Sequence, residues 1–151
     1  MDTIGAYLEK DHARCDDFYL RSLACVAARD WQQAAELLDR FVQELQRHFT
    51  MEEEVVFAAF EAATGVTSGH TEALRREHGQ LSGILKRLAE AVAQRKVSDV
   101  EDHADTFRIM LWHHSLKEEG MLYPLADRVL RGQHGTLIGF MEAMGKADAA
   151  S

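Results

Sequence analysis

The sequence predicts an all-α fold, an antiparallel up-down-up-down four-helix bundle with a short C-terminal extension. Three observations point there. The chain has a single Pro, and few of its Gly fall inside periodic stretches. Those stretches are rich in Ala, Leu, Glu, Arg and Gln, which favour the helix. The breaks recur at regular intervals, as expected for helices of similar length joined by short links.

The first helix is expected over roughly 3–29. Asp30 then offers an N-cap and Gln33 completes a capping box, so a second helix runs to about Ala63. The run GVTSG at 65–69 is the clearest turn. A third helix follows to about Lys96, and Ser98 with Glu101 forms a second capping box that opens the fourth. Pro124 removes a backbone donor and is expected to kink or shorten that helix, which RGQHG at 131–135 ends. Residues 1–134 therefore read as one bundle domain and 135–151 as a tail. In the tail, Leu137, Ile138, Phe140, Met141 and Met144 suit a short helix that caps the bundle or meets a second subunit, so a homodimer is compatible with it.

Composition narrows the partners. A chain of 151 residues with 46% hydrophobic residues can bury one core. A net charge of −8 argues against an electrostatic grip on nucleic acid or on an anionic membrane. No stretch stays apolar long enough to span a bilayer. The opening MDTIGAYLEKDH has no basic segment followed by an apolar run, as a secretory signal would require. Cys15 and Cys25 lie ten residues apart on one expected helix, about 15 Å at 1.5 Å per residue, too far to bridge. Two unpaired thiols suit a cytoplasmic location.

The chain also repeats itself. At an offset of 66 residues the first half aligns with the second, matching Leu8/Leu74, His12/His78, Phe41/Phe107, Leu45/Leu111, His48/His114, Glu52/Glu118 and Glu53/Glu119. His12 to His48 spans 36 residues, and so does His78 to His114. His48 and His114 are each followed four positions later by Glu, which stacks an imidazole and a carboxylate on one helix face. All six polar residues fall on apolar stripes. One stripe reads Phe41, Leu45, His48, Glu52, Val55, Val56; another reads Phe107, Leu111, His114, Glu118, Leu122, Leu125. Four imidazoles and two carboxylates are thus expected in one inward layer. Unpartnered buried carboxylates cost several kcal/mol or more, so cations are expected there.

Six donors exceed the needs of one tetrahedral zinc. Two ions about 3.5–4 Å apart suit them better, with two His on each ion and both Glu bridging. Nitrogen and oxygen donors favour iron or manganese, although zinc and nickel are also admitted. Open positions on a redox-active pair imply dioxygen, nitric oxide or peroxide as the small ligand.

The order His12, His48-x-x-x-Glu52, His78, His114-x-x-x-Glu118 resembles the hemerythrin-like, or HHE cation-binding, domain family over about residues 4–130. The resemblance implies an antiparallel four-helix bundle holding a di-iron centre, carboxylate-bridged and oxo- or hydroxo-bridged. His12, His48, His78 and His114 would be terminal ligands, with Glu52 and Glu118 bridging. Oxygen-carrying hemerythrins have a third-helix His-x-x-x-His, whereas Leu74 and Ser82 flank His78 here. They also have a fourth-helix His-x-x-x-x-Asp, a spacing that here would set His113 against Glu118 in place of His114. These departures give iron handling, sensing, or reaction with peroxide or nitric oxide more weight than reversible oxygen carriage. A di-metal redox enzyme such as a peroxidase or oxidase is the alternative.

The remaining polar residues have plain readings. His70, His103 and His134 are expected near helix ends facing solvent. Asp11, Glu53, Glu77 and Glu119 are expected on solvated faces, although each neighbours a candidate ligand and could take its N–H. Cys15, Tyr19 and Tyr123 are expected to fill the core.

Overall fold

The computed structural model describes residues 2–150, with side chains through residue 145. Among the described residues it is all helical. Helix α1 spans Ile4–Ala27, α2 Trp31–Met51, α3 Ala58–Thr64, α4 His70–Ala93, α5 Val97–Lys117, α6 Tyr123–Val129 and α7 His134–Ala150. A π-helical segment, Glu52–Phe57, joins α2 to α3, and a second, Glu118–Leu122, joins α5 to α6. The chain therefore makes five rods, the second and fourth of them compound.

Local chemistry sets the ends. Thr3 Oγ1 accepts from the Ala6 amide at 3.1 Å, and Asp30 Oδ1 accepts from Gln33 at 3.3 Å, so the expected cap at Asp30 is present. Helices α1 and α4 stop earlier than the periodicity suggests. Arg29 and Arg95 adopt left-handed conformations, φ 61° and 57°, and the following amides reach back to Cys25 and Ala91. That turn also corrects the second capping box. Helix α5 starts at Val97 with Lys96 in the cap position and no side-chain cap, which leaves Ser98 inside the first turn.

Pro124 does not end its rod. It sits in the first turn of α6, where a missing donor costs little. Nor does it explain the π turn before it, because the Glu52–Phe57 turn occurs without a Pro. Each π segment admits an extra residue and shifts the helical phase. Downstream of the shift Val56, Phe57 and Phe60 face inward on one rod, and Leu122, Tyr123 and Ala126 on the other. Val55 and Leu125, expected on the inward stripes, are only half-buried for this reason.

Burial divides into two apolar clusters. One gathers Cys15, Tyr19, Leu38, Phe41, Leu45, Leu81, Leu85 and Phe107. The other gathers Ile4, Leu8, Met51, Val56, Phe57, Leu122 and Tyr123, and Leu137, Ile138 and Met141 of α7 pack into it. Helix α7 thus buries its apolar residues inside this chain. Gly5 is required where α1 meets α6, because a Cβ there would lie 3.0 Å from Tyr123 Cβ. The contact lets Asp127 Oδ1 accept the Ile4 amide at 2.8 Å, and it fixes Tyr123. Between the two clusters lies a polar layer.

Candidate metal centre

His12 of α1, His48 of α2, His78 of α4, His114 of α5, and Glu52 and Glu118 at the starts of the π segments are all buried, at 0–6% exposure. The geometry brings four of them tightly together. One donor atom each from Glu52, His78, His114 and Glu118 lies within 4.8 Å of the other three. His48 joins through Glu52, its Nε2 lying 2.9 Å from Glu52 Oε1. His114 Nε2 lies 3.2 Å from Glu118 Oε1, and His78 Nε2 lies 3.8 Å from Glu52 and 3.6 Å from Glu118. His12 stands at the edge. Its ring is 5.4 Å from that of His48, and its Nε2 is 3.7 Å from Asp16. His113, the competing residue on α5, is exposed.

The outer nitrogens of three imidazoles are held by carboxylates. His48 Nδ1 pairs with Asp11 at 2.8 Å, His78 Nδ1 with Glu53 at 2.6 Å and His114 Nδ1 with Glu77 at 2.8 Å. Three of the four carboxylates expected on solvated faces therefore orient candidate donors. Each Nδ1–H donates outward, so each Nε2 faces the layer. Glu119, the fourth, makes no such bond to His12. Tyr123 is more than core filling: its hydroxyl donates to Glu52 at 3.2 Å and to Glu118 at 3.3 Å. Cys15 packs as expected, and burial followed by Asp11 pushes its thiol up to about 12.

What the inner atoms lack is a partner. His48 Nε2, His78 Nε2, His114 Nε2, Glu52 Oε1 and Glu118 Oε2 are buried and make no hydrogen bond, because the short approaches among them are poorly aligned. Burial and then the charge of Glu118 push the Glu52 carboxyl well above the ordinary range. Burial also opposes the charge on His48, but Glu52 and Asp11 outweigh it and push the imidazole up to about 10. His12 goes the other way, down to about 4, through burial and then the charge of His48. Such a cluster of neutral and charged groups, with lone pairs aimed inward, fits a cation. Nitrogen and oxygen donors without a thiolate suit a transition metal of intermediate softness.

The model of the family described as the hemerythrin HHE cation binding domain matches residues 3–126. The chain belongs to that family. No curated protein and no solved structure matches it significantly. As a hemerythrin HHE domain it combines an all-helical bundle with a buried His/Glu group able to hold a metal ion. Among its described residues no helix is long and apolar enough to cross a membrane.

Proposed function

We propose that this hemerythrin-like chain is a non-haem di-iron protein that binds or responds to dioxygen, nitric oxide or peroxide, or that handles iron, in the cytoplasm. In this reading residues 1–134 form the antiparallel up-down-up-down four-helix bundle and 135–151 an extension. His12, His48, His78 and His114 are the terminal donors, and Glu52 and Glu118 are the bridges. The observation that carries the reading is the set of five orphaned buried donor atoms. Each orphan costs about 1–3 kcal/mol, and five in one layer are tolerable when cations meet them.

A bound iron pair would supply redox chemistry toward a small ligand. The chain's own residues prepare the place for it. Asp11, Glu53 and Glu77 fix three imidazoles in the tautomer that presents Nε2. Tyr123 keeps its proton, since burial and then Glu52 hold its pKa high, and it steadies both carboxylates. Phe49 stacks on His78 at 3.9 Å between centroids and excludes water from that side. No organic substrate is needed to account for these features.

Anaerobic iron loading followed by elemental analysis tests the reading. Two irons per chain are expected, with both lost in His48→Ala/Glu52→Ala, and spectra with nitric oxide and peroxide then identify the ligand. Failure of the parent chain to retain any transition metal would overturn it.

A further inference from the structure

The two long seams beside the polar layer differ. Helix α2 packs along α4, whereas α1 and α5 approach closely at no more than isolated points. The gap between α1 and α5 is a cleft of about 370 Å³, with His12, Asp16, Leu20, Trp112, Ser115 and Glu119 among its walls. At the offset of 66, Ser115 corresponds to Phe49, so the seam is open where a serine replaces the ring that closes the other one.

This face is unusually apolar for a surface. Of the eight large apolar side chains exposed among the described residues, Leu20 (65%), Trp112 (60%), Ile109 (54%) and Leu116 (49%) gather here. Ile109, Trp112 and Leu116 stand at i, i+3 and i+7, one continuous stripe on the outer side of α5. Stripes of this kind on a monomer mark a contact surface.

We propose that a second copy of this chain covers the face through a two-fold, antiparallel pairing of α5 with itself. Charge and shape select that partner and its register. One end of the face is acidic, with Asp16 and Glu119, and the other carries Arg108. A two-fold axis through Trp112 would bring Asp105 opposite the partner's Glu119, a like-charge clash. With the axis between His113 and His114, Arg108 meets the partner's Glu119 and Trp112 meets the partner's Ser115. The large exposed ring then enters the gap left by the small residue, once on each side. A two-fold interface requires this kind of self-complementarity. The contact would also cover the only side on which His12 lacks a closing aromatic. The inference stands on surface shape and charge and does not depend on which metal the layer holds.

Sedimentation equilibrium of the full chain at micromolar concentrations tests it. The expected mass is about 34 kDa, twice the 17.0 kDa chain. Trp112→Glu should sediment as a monomer while keeping its helical circular dichroism. Arg108→Glu and Glu119→Arg should each weaken the dimer by about tenfold or more, and the double variant should restore it. If Trp112→Glu does not fold, the charge-reversal set decides alone. A monomeric parent, a dimer indifferent to Trp112→Glu, or a double variant no tighter than the single ones would overturn the proposal.

Discussion

His78 and His12 occupy equivalent places in the two halves, yet only one of them is held. His78 is sandwiched between Phe49 and Phe57, at 3.9 and 5.8 Å between centroids, and Glu53 pairs with its Nδ1. At the offset of 66 the same three positions around His12 carry Ser115, Tyr123 and Glu119. Ser115 cannot stack, Tyr123 turns its hydroxyl to the two glutamates, and Glu119 makes no bond to the ring. A donor residue at the right position is thus placed by its neighbours, and changing those neighbours releases it while the donor itself is unaltered.

The largest effect should come from breaking the held side. Phe49→Ala removes a buried ring and should cost about 3–5 kcal/mol in urea unfolding. Ser115→Ala, its counterpart, should stay within about 0.5 kcal/mol. Next, Glu53→Gln should weaken metal binding by about 10–100-fold in a chelator competition, because it loosens His78. Glu119→Gln should leave metal affinity unchanged, and a matching loss there would show that His12 is held after all.

A third contrast concerns Glu44, which corresponds to Met110 in the other half. Glu44 is buried between α1 and α2, accepting from Arg14 at 2.8 Å and Arg40 at 3.0 Å, and also from Arg47. Burial opposes its charge, but the three guanidinium groups outweigh it and hold the carboxyl below its ordinary value. Its folded pKa is therefore lower than its unfolded one. Its contribution is complete above the ordinary carboxylate range and fades as pH falls through the lowered value. Glu44→Gln should lose about 1–2 kcal/mol near pH 7, with parent and variant converging in acid. The smallest effect should be at the left-handed arginines. Arg95→Gly should gain about 0.5–1 kcal/mol by relieving its positive φ. Arg29→Gly should gain less, since Arg29 also donates to the Val26 carbonyl at 2.9 Å.

The helical class and the gathering of Glu52, His78, His114 and Glu118 were legible because spacing along a helix decides which side chains share a face. The roles of Asp11, Glu53 and Glu77 were not. Each sits beside a candidate donor, but whether a carboxylate reaches a ring on the next helix depends on interhelical distance, which no single-chain period encodes. Their repeated adjacency to His12, Glu52 and His78 was the available signal. Val55 and Leu125 were misplaced on the inward stripes because a uniform period of 3.6 residues cannot anticipate a widened turn. The open seam beside His12 needed both the repeat and the packing, since Ser115 is unremarkable until Phe49 is seen filling the same position elsewhere.

The widened turns at Glu52–Phe57 and Glu118–Leu122 carry a consequence for how the rods tolerate change. Each splits its rod into two stretches whose angular settings are independent. Deleting one residue within either turn would rotate everything beyond it by about 100°. Phe57 and Phe60, or Tyr123 and Ala126, would swing toward water, while the histidine before the turn kept its bearing.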